Sequence, residues 1–418
     1  MLTQAPKGTK DVLPDEVYKW HAVEKILRER AEYYGYREFR TPTFEHTELF
    51  LRSVGDTTDV VQKEMYTFED KGNRSITLKP EGTASTVRAF LEHGLYNQPL
   101  PLKTYYITPV FRYERPQAGR LREHHQFGVE VFGAPEATLD AELIAFVLDL
   151  LASLNIQGLS VNINSIGCPK CRKQYNEALK AFLADNKANL CETCRDRLDR
   201  NALRVLDCKV PSCGEITKNA PKITDYLCED CSAHFETLKA ALTKLNIAYS
   251  VDPRIVRGLD YYVKTVFEVI YTNAAGEKLT VCGGGRYDSL SKQIGDVEVA
   301  SAGFGMGLER LLMVMQEQQA EFCETMRYEV YIASMGAGAA LEALELAQEL
   351  RARQIKTEVN HTGKSFKAQL KYADKLRAHY VVMIGEDEIN AGKYKLKNME
   401  SGEQMELSKE QLLSFLAR

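Results

Sequence analysis

The chain has 418 residues, 44% hydrophobic and 27% charged, with a formal net charge of -4. That length is too great for one hydrophobic core, so two or three domains are expected. No run of about eighteen apolar residues could span a membrane, and MLTQAPKGTKDVLPDE lacks the apolar centre of a signal peptide, so a cytoplasmic protein is expected. The charge neither selects nor excludes nucleic acid, because a local basic face is enough to bind it.

Pro14 and Asp15 open a helix that carries Val17, Trp20, Val23, Leu27, Ala31 and Tyr34 at helical spacing and stops at Gly35. YREFRTPTFEHTELFLRSVG predicts a short strand, a break at Pro42, then a helix. EMYTFEDKGNRSITL predicts a hairpin, and Thr83 could cap a helix ending near Gly94. TYYITPVFRYE and QFGVEVFG read as strands flanking a loop, within FRYERPQAGRLREHHQFGVE, that is crowded with Arg112, Glu114, Arg115, Arg120, Arg122, Glu123, His124 and His125. A helix over residues 138 to 154 and the strand LSVNINSIG follow. A Cys-rich segment then interrupts, with a helix near residues 234 to 245 and a further hairpin (VFEVIYT, KLTVCGGG) beyond it. ASAGFGMGLERLLMVM reads as a strand turning at glycines into a helix. From about residue 327 the pattern is βαβαββα, with helices over residues 338 to 353, 365 to 378 and 408 to 417: a small α/β domain, its sheet largely parallel. The earlier part reads as α+β, an antiparallel sheet with helices.

Arginine forks suit phosphate and carboxylate groups. Taken alone, the arginine loop is a surface salt-bridge network. RIVRGLDYY, alone, is a surface turn with strand aromatics. GFGMGLERL, alone, is a helix packed tightly on a sheet, and it lacks the βαβ setting of a dinucleotide fingerprint. GGGRYD offers another glycine run for close backbone approach.

Together, in order, these segments resemble the class II aminoacyl-tRNA synthetases. The Pro42 region is similar to that class's first motif, FRYERPQAGRLREHHQFGVE to its second and GFGMGLERL to its third. RGLDYY and GGGRYD resemble the signatures of the histidyl-tRNA synthetases, and LKPEGT and PKGTKDVLP agree, so the likeness runs along essentially the whole chain. It implies a catalytic domain over residues 1–325, interrupted at about 166–235 by the Cys-rich insertion, and an anticodon-binding domain over 327–418. It implies ATP-dependent ligation of L-histidine to its tRNA through a histidyl-adenylate, by a homodimer whose interface lies near Pro42.

By the same resemblance, ATP, with Mg2+, meets Arg112, Glu114, Arg120 and Arg310. Arg257 contacts both the substrate carboxylate and the α-phosphate, taking over a metal's role, so Arg112 and Arg257 are the catalytic pair. Fixed cations suit the charge that gathers at a pentavalent phosphorus. Glu130 and Tyr262 hold the imidazole, Glu81, Thr83 and Gln126 the α-ammonium, and Tyr261 lines the pocket. A site that hydrogen-bonds both ring nitrogens rejects amino acids lacking them, so no editing domain is needed. His124 stands where many relatives carry phenylalanine, and an imidazole can stack on adenine with less area.

The chain has ten cysteines, and eight fall into CPKC, CETC, CKVPSC and CEDC. In chain order they make two sets, Cys168, Cys171, Cys191 and Cys194, then Cys208, Cys213, Cys228 and Cys231. Each set resembles a four-thiolate zinc site, with pairing across the sets left open; the alternative is free thiols. Cys282 and Cys323 stand alone. Lys170, Arg172, Lys173, Arg195 and Arg197 read as a solvated face or a tRNA contact. So do Lys364, Lys367, Lys371 and Lys375, opposite Phe366, Leu370 and Ala373. Two non-catalytic readings compete with the ligase. One is a synthetase-like regulatory subunit of ATP phosphoribosyltransferase; the other is an uncharged-tRNA sensor. The α/β tail and the set Glu81, Arg112, Gln126, Glu130, Arg257 and Arg310 argue against both.

Overall fold

The computed structural model describes residues 3–55, 58–322 and 328–417. It divides into two units, Met1–Phe322 and Cys323–Arg418. Cys323 and the predicted boundary between 325 and 327 lie outside the described residues.

The first unit is built on eleven strands: β1 (Arg37–Glu38), β2 (Phe44–His46), β3 (Tyr66–Glu69), β4 (Ser75–Leu78), β5 (Leu102–Phe111), β6 (Glu123–Phe132), β7 (Leu159–Ser165), β8 (Ser250–Val251), β9 (Val263–Thr272), β10 (Lys278–Arg286) and β11 (Ser301–Gly307). Eight of them form one sheet in the order β1-β5-β6-β11-β10-β9-β7-β8. It is antiparallel through its centre and parallel at both edges, where β1 joins β5 and β8 joins β7. The expected antiparallel α+β sheet is therefore present, the short strand expected in YREF is β1, and the parallel pairing at the margins and the two-residue β8 carry no sequence signal. β2, β4 and β3 form a small separate sheet.

Alternation along the central strands sorts the two faces. On β6, Phe127, Val129 and Val131 enter a core with the helices Val17–Tyr33, Ala137–Ser153, Glu229–Lys244 and Leu308–Glu317. On β11, Ala302, Phe304 and Met306 do the same. The opposite face receives Gln126, Gly128 and Glu130 from β6 and Gly303, Gly305 and Gly307 from β11. There the helix Thr83–Glu92 and the Cys-rich segment cover the sheet, sharing a core that includes Phe90, Phe132, Tyr175, Leu179, Val205, Tyr261, Tyr262 and Tyr287.

The second unit has β12 (Val330–Ser334), β13 (Thr357–Val359), β14 (Tyr380–Ile384), β15 (Tyr394–Asn398) and β16 (Gln404–Leu407), in the order β13-β12-β14-β15-β16. The first three are parallel and the last two antiparallel. The short helix Glu386–Ala391 and β16 were missed from sequence. Six residues of helix and a four-residue polar strand carry too little periodicity to be seen.

Candidate active site

Glu130 sits near the C-terminal end of β6 and is 1% exposed. Thr83 Oγ1 donates to its Oε1 at 2.7 Å, Tyr106 OH donates to the same oxygen at 3.0 Å, and Tyr287 OH donates to Oε2. Burial pushes the Glu130 pKa up to about 8, against the pull of the Tyr287 and Thr83 hydrogen bonds. An ionised carboxylate accepts at about four lone-pair positions. Three are filled, so once the carboxyl gives up its proton there is room at Oε2 for one more donor.

Glu81, 2% exposed, ties down the start of the helix Thr83–Glu92. Its Oε2 accepts from the Thr83 N–H and its Oε1 from the Ala84 N–H, each at 2.7 Å. Burial still raises its pKa despite these bonds. Gln126 Oε1 accepts from the Gly82 N–H at 3.1 Å. Tyr261 and Tyr262 are buried, their ring centroids 4.7 Å apart, and Tyr261 meets Tyr287 edge-on at 5.5 Å. Arg257 pairs with Glu268 at 2.5 Å and lies 6.0 Å from the Tyr262 ring. Its Nε is buried with no hydrogen-bond partner among the described residues.

Glycines make the floor on which these side chains lie. A Cβ at Gly303 would stand 2.1 Å from Val129 O and 2.3 Å from Glu130 Oε2. One at Gly305 would meet Gln126 Nε2 at 2.4 Å, and one at Gly283 would meet the Arg257 guanidinium at 2.3 Å. Gly283 pairs with Gly305, and Gly285 with Gly303, across β10 and β11.

A cationic cluster lies beyond this floor. Arg310 donates from Nε to Gly119 O at 3.2 Å and from Nη1 to Thr280 O at 2.7 Å. Arg112 donates to Pro80 O at 2.8 Å, and Glu114 pairs with Arg120 at 3.3 Å. Burial lowers the Arg310 pKa, and the charges of Arg120 and Arg112 lower it further. Such a cluster is ready for an anion. Burial, with Arg112 and Arg310, pushes His124 down to about 3, so its ring is neutral, and its Nδ1 is buried without a partner among the described residues. His125 anchors the loop: its N–H and Nδ1 both meet Glu309 at the first turn of the helix Leu308–Glu317, and Trp20 packs edge-on against its ring.

The eight clustered cysteines come together as two quartets: Cys168, Cys171, Cys228 and Cys231, and Cys191, Cys194, Cys208 and Cys213. Within each, all Sγ atoms lie within 4.8 Å of one another. The expected pairing in chain order is therefore corrected to a nested one. The first and last Cys-x2-Cys sit at the N-termini of the helices Pro169–Asp185 and Glu229–Lys244, and those two N-termini lie side by side, with Cys168 Sγ 3.9 Å from Cys228 Sγ.

A family model described as Histidyl-tRNA synthetase matches residues 8–311. The chain belongs to the histidyl-tRNA synthetase family. A model of an anticodon binding domain matches residues 329–418. The chain is 58% identical to a histidine--tRNA ligase of Clostridium perfringens, over 98% of this chain and 97% of that one. A histidine--tRNA ligase of Clostridium botulinum is 57% identical over 97% of each. Among solved structures, apo histidyl-tRNA synthetase of S. aureus superposes with a TM-score of 0.83 at 37% identity, covering 99% of this chain and all of that one.

Read as a member of the histidyl-tRNA synthetase family, the chain brings Glu81, Thr83, Gln126, Glu130, Tyr261, Tyr262 and Arg257 to one face of the sheet. It gathers Arg112, Glu114, Arg120 and Arg310 around the loop. Arg112 lies just past the end of β5 rather than on a strand. Three features escaped the sequence reading. Tyr106 has no motif of its own: it reaches Glu130 because it faces Gly128 across β5 and β6, which only the register reveals. Tyr287 stood inside GGGRYD, where its neighbour Arg286 instead takes a structural part, fully buried and paired with Asp140 at 2.6 Å. PKGTKDVLP reaches the loop through Gly8 O, which accepts from the Arg122 N–H at 2.7 Å.

Proposed function

We propose that this protein activates L-histidine with ATP and transfers it to the tRNA for histidine. The buried Glu130 carboxyl carries the reading, since it has one acceptor position open among Thr83, Tyr106 and Tyr287. An imidazole ring N–H fits that position, and Tyr262 serves the other ring nitrogen. Glu81, Thr83 and Gln126 hold the α-ammonium, and Tyr261 closes the pocket. The histidine carboxylate attacks the α-phosphorus, pyrophosphate leaves, and Arg257 and Arg112 stabilise the charge gathered there. Arg120 and Arg310 hold the outer phosphates, with Glu114 toward the adenosine. A terminal ribose hydroxyl of the tRNA then attacks the activated carbonyl, AMP leaves, and a phosphate oxygen of the adenylate accepts the proton.

Mg2+ comes with ATP. Glu114 and Glu64, whose pKa is raised first by burial and then by Glu114, are the acidic groups beside Arg112 and Arg120, and they suit a hard cation. The insertion's cysteines hold structural zinc. The unit from Cys323 binds the anticodon region. The enzyme works in the cytoplasm as a homodimer: Phe44 (55% exposed) and Phe68 (48% exposed) sit on the small sheet next to Pro42, an apolar surface suited to a second copy. The regulatory-subunit and sensor readings are disfavoured by the intact arginine set.

The test is ATP–pyrophosphate exchange with each amino acid, without tRNA. Exchange with histidine alone is expected. No exchange from folded protein that still binds histidine would overturn the ligase reading in favour of a regulatory one.

A further inference from the structure

The insertion reaches the site through three side chains. Arg204 Nη1 donates to the carbonyl of Arg257 at 3.0 Å, and Asn201 Nδ2 donates to Asp260 Oδ1 at 3.2 Å. Arg197 and Arg204 both pair with Asp59. These residues lie on or just after the helix Glu192–Arg200, between Cys194 and Cys208, so the inner quartet brackets the segment that grips the RGLDYY turn.

Each quartet is compact enough for its four Sγ atoms to bind a single ion. A Zn–S bond of about 2.3 Å gives a tetrahedral S···S edge of about 3.8 Å. Three of the Sγ separations come close to that edge, 3.6 Å for Cys168–Cys171, 3.9 Å for Cys168–Cys228 and 3.9 Å for Cys191–Cys208, and the rest lie within 4.8 Å. All eight cysteines are free. Backbone N–H groups already point at sulfur: Cys228 N–H to Cys171 Sγ at 3.1 Å and Cys191 N–H to Cys213 Sγ at 3.2 Å. N–H groups that donate to a ligating sulfur stabilise its thiolate. Cys168, Cys191 and Cys228 each immediately precede the first residue of a helix.

We propose that each quartet binds one zinc ion and that the inner ion fixes Asn201 and Arg204 as positioning residues, which hold the Arg257 turn for amino-acid activation. The positioning half rests on the reading of Arg257 as a substrate-binding residue. A metal-free inner quartet would leave four Sγ atoms facing one another with no ion to join them. The segment carrying Arg204 would then be held by the packing of Leu198, Ala202, Val205 and Leu206 and by the polar contacts of Arg197, Asn201 and Arg204 alone.

The test uses the full-length protein, purified reduced and without chelator. Metal analysis is expected to give two zinc ions per chain, and one in each of C191S/C208S and C168S/C228S. Fewer than two zinc ions in the wild type, or iron in their place, overturns the metal half. In histidine-dependent exchange, R204A is expected to keep both zinc ions and an unchanged Tm while losing about tenfold in kcat/KM, with partial rescue by R204K. Full activity in R204A, beside an inactive R257A, overturns the positioning half. An active R257A would instead show that the Arg257 reading had failed, leaving the zinc count to stand by itself.

Discussion

Glu130 is where charge, burial and specificity meet in one side chain. In the ligand-free fold it holds its proton up to about pH 8, whereas an unfolded chain releases it near the ordinary 4.5. Between those values the folded state binds more protons than the unfolded one, so stability falls as pH rises through the window. Glu130→Gln, which cannot ionise, lacks that slope. The Tm of the ligand-free wild type, compared with E130Q, is expected to drop steadily from about pH 5 to pH 8; parallel curves would refute the buried-acid assignment. The same variant presents an amide where a ring N–H needs an anion, so histidine-dependent exchange should fall by about 10²-fold or more in kcat/KM. Tyr287→Phe is milder. It removes one donor to Oε2, favouring the protonated acid further, and should weaken histidine binding about tenfold with ATP binding unchanged. Calorimetric titration with each ligand separates the two effects.

At the scale of elements, the informative pattern is a strand that alternates glycine with apolar residues. On β11 the sequence SAGFGMG sends Ala302, Phe304 and Met306 into the core and leaves Gly303, Gly305 and Gly307 as a bare floor. The three positions differ in what a methyl group would strike. At Gly303 it meets backbone oxygen at 2.1 Å, which cannot yield without moving β6, whereas at Gly305 it meets the end of the Gln126 side chain, which can swing. Gly303→Ala should therefore cost about 10²-fold or more in kcat/KM, the scale of an ångström's misplacement in a reacting site. Gly305→Ala should mainly raise the KM for histidine. Equal effects from the two would argue against the floor. Much of this site was legible in sequence because the residues arrive in ordered motifs, each a strand end or turn that needs glycine or arginine for a stated reason. What stayed hidden depends on register and on long-range return of the chain. Tyr106 faces Gly128 only through the pairing of β5 with β6. Cys168 joins Cys228 rather than Cys191 because the helix starts at 169 and 229 lie together, and spacing alone carries no sign of nesting.

For the molecule as a whole, the proposed assignment puts amino-acid activation and anticodon recognition in separate units of the chain, and this makes them separable by mutation. Every side chain assigned to histidine and ATP lies before Phe322. The second unit carries the helix Phe366–Lys375, whose Gln369 and Ala373 are buried and whose Phe366 and Leu370 pack against the sheet. The remaining side of that helix shows Lys367, Lys371 and Lys375 to solvent, with Lys364 exposed just before it. None of the four has an ion-pair partner among the described residues. On a chain with net charge -4, an unneutralised lysine row of this kind is a local exception to the overall balance. A polyanion gains from it through counterion release, with about 0.7 to 0.9 units of salt slope per phosphate contact. The double variant Lys367→Glu and Lys371→Glu should weaken binding of the tRNA and flatten its dependence on salt by about one to two units. Exchange of ATP with pyrophosphate in the presence of histidine should be unchanged, because no assigned substrate contact is touched. Equal losses in exchange and in tRNA binding would mean that the lysines support the fold instead. Unchanged tRNA binding would assign them to solvation, as their pattern alone suggests.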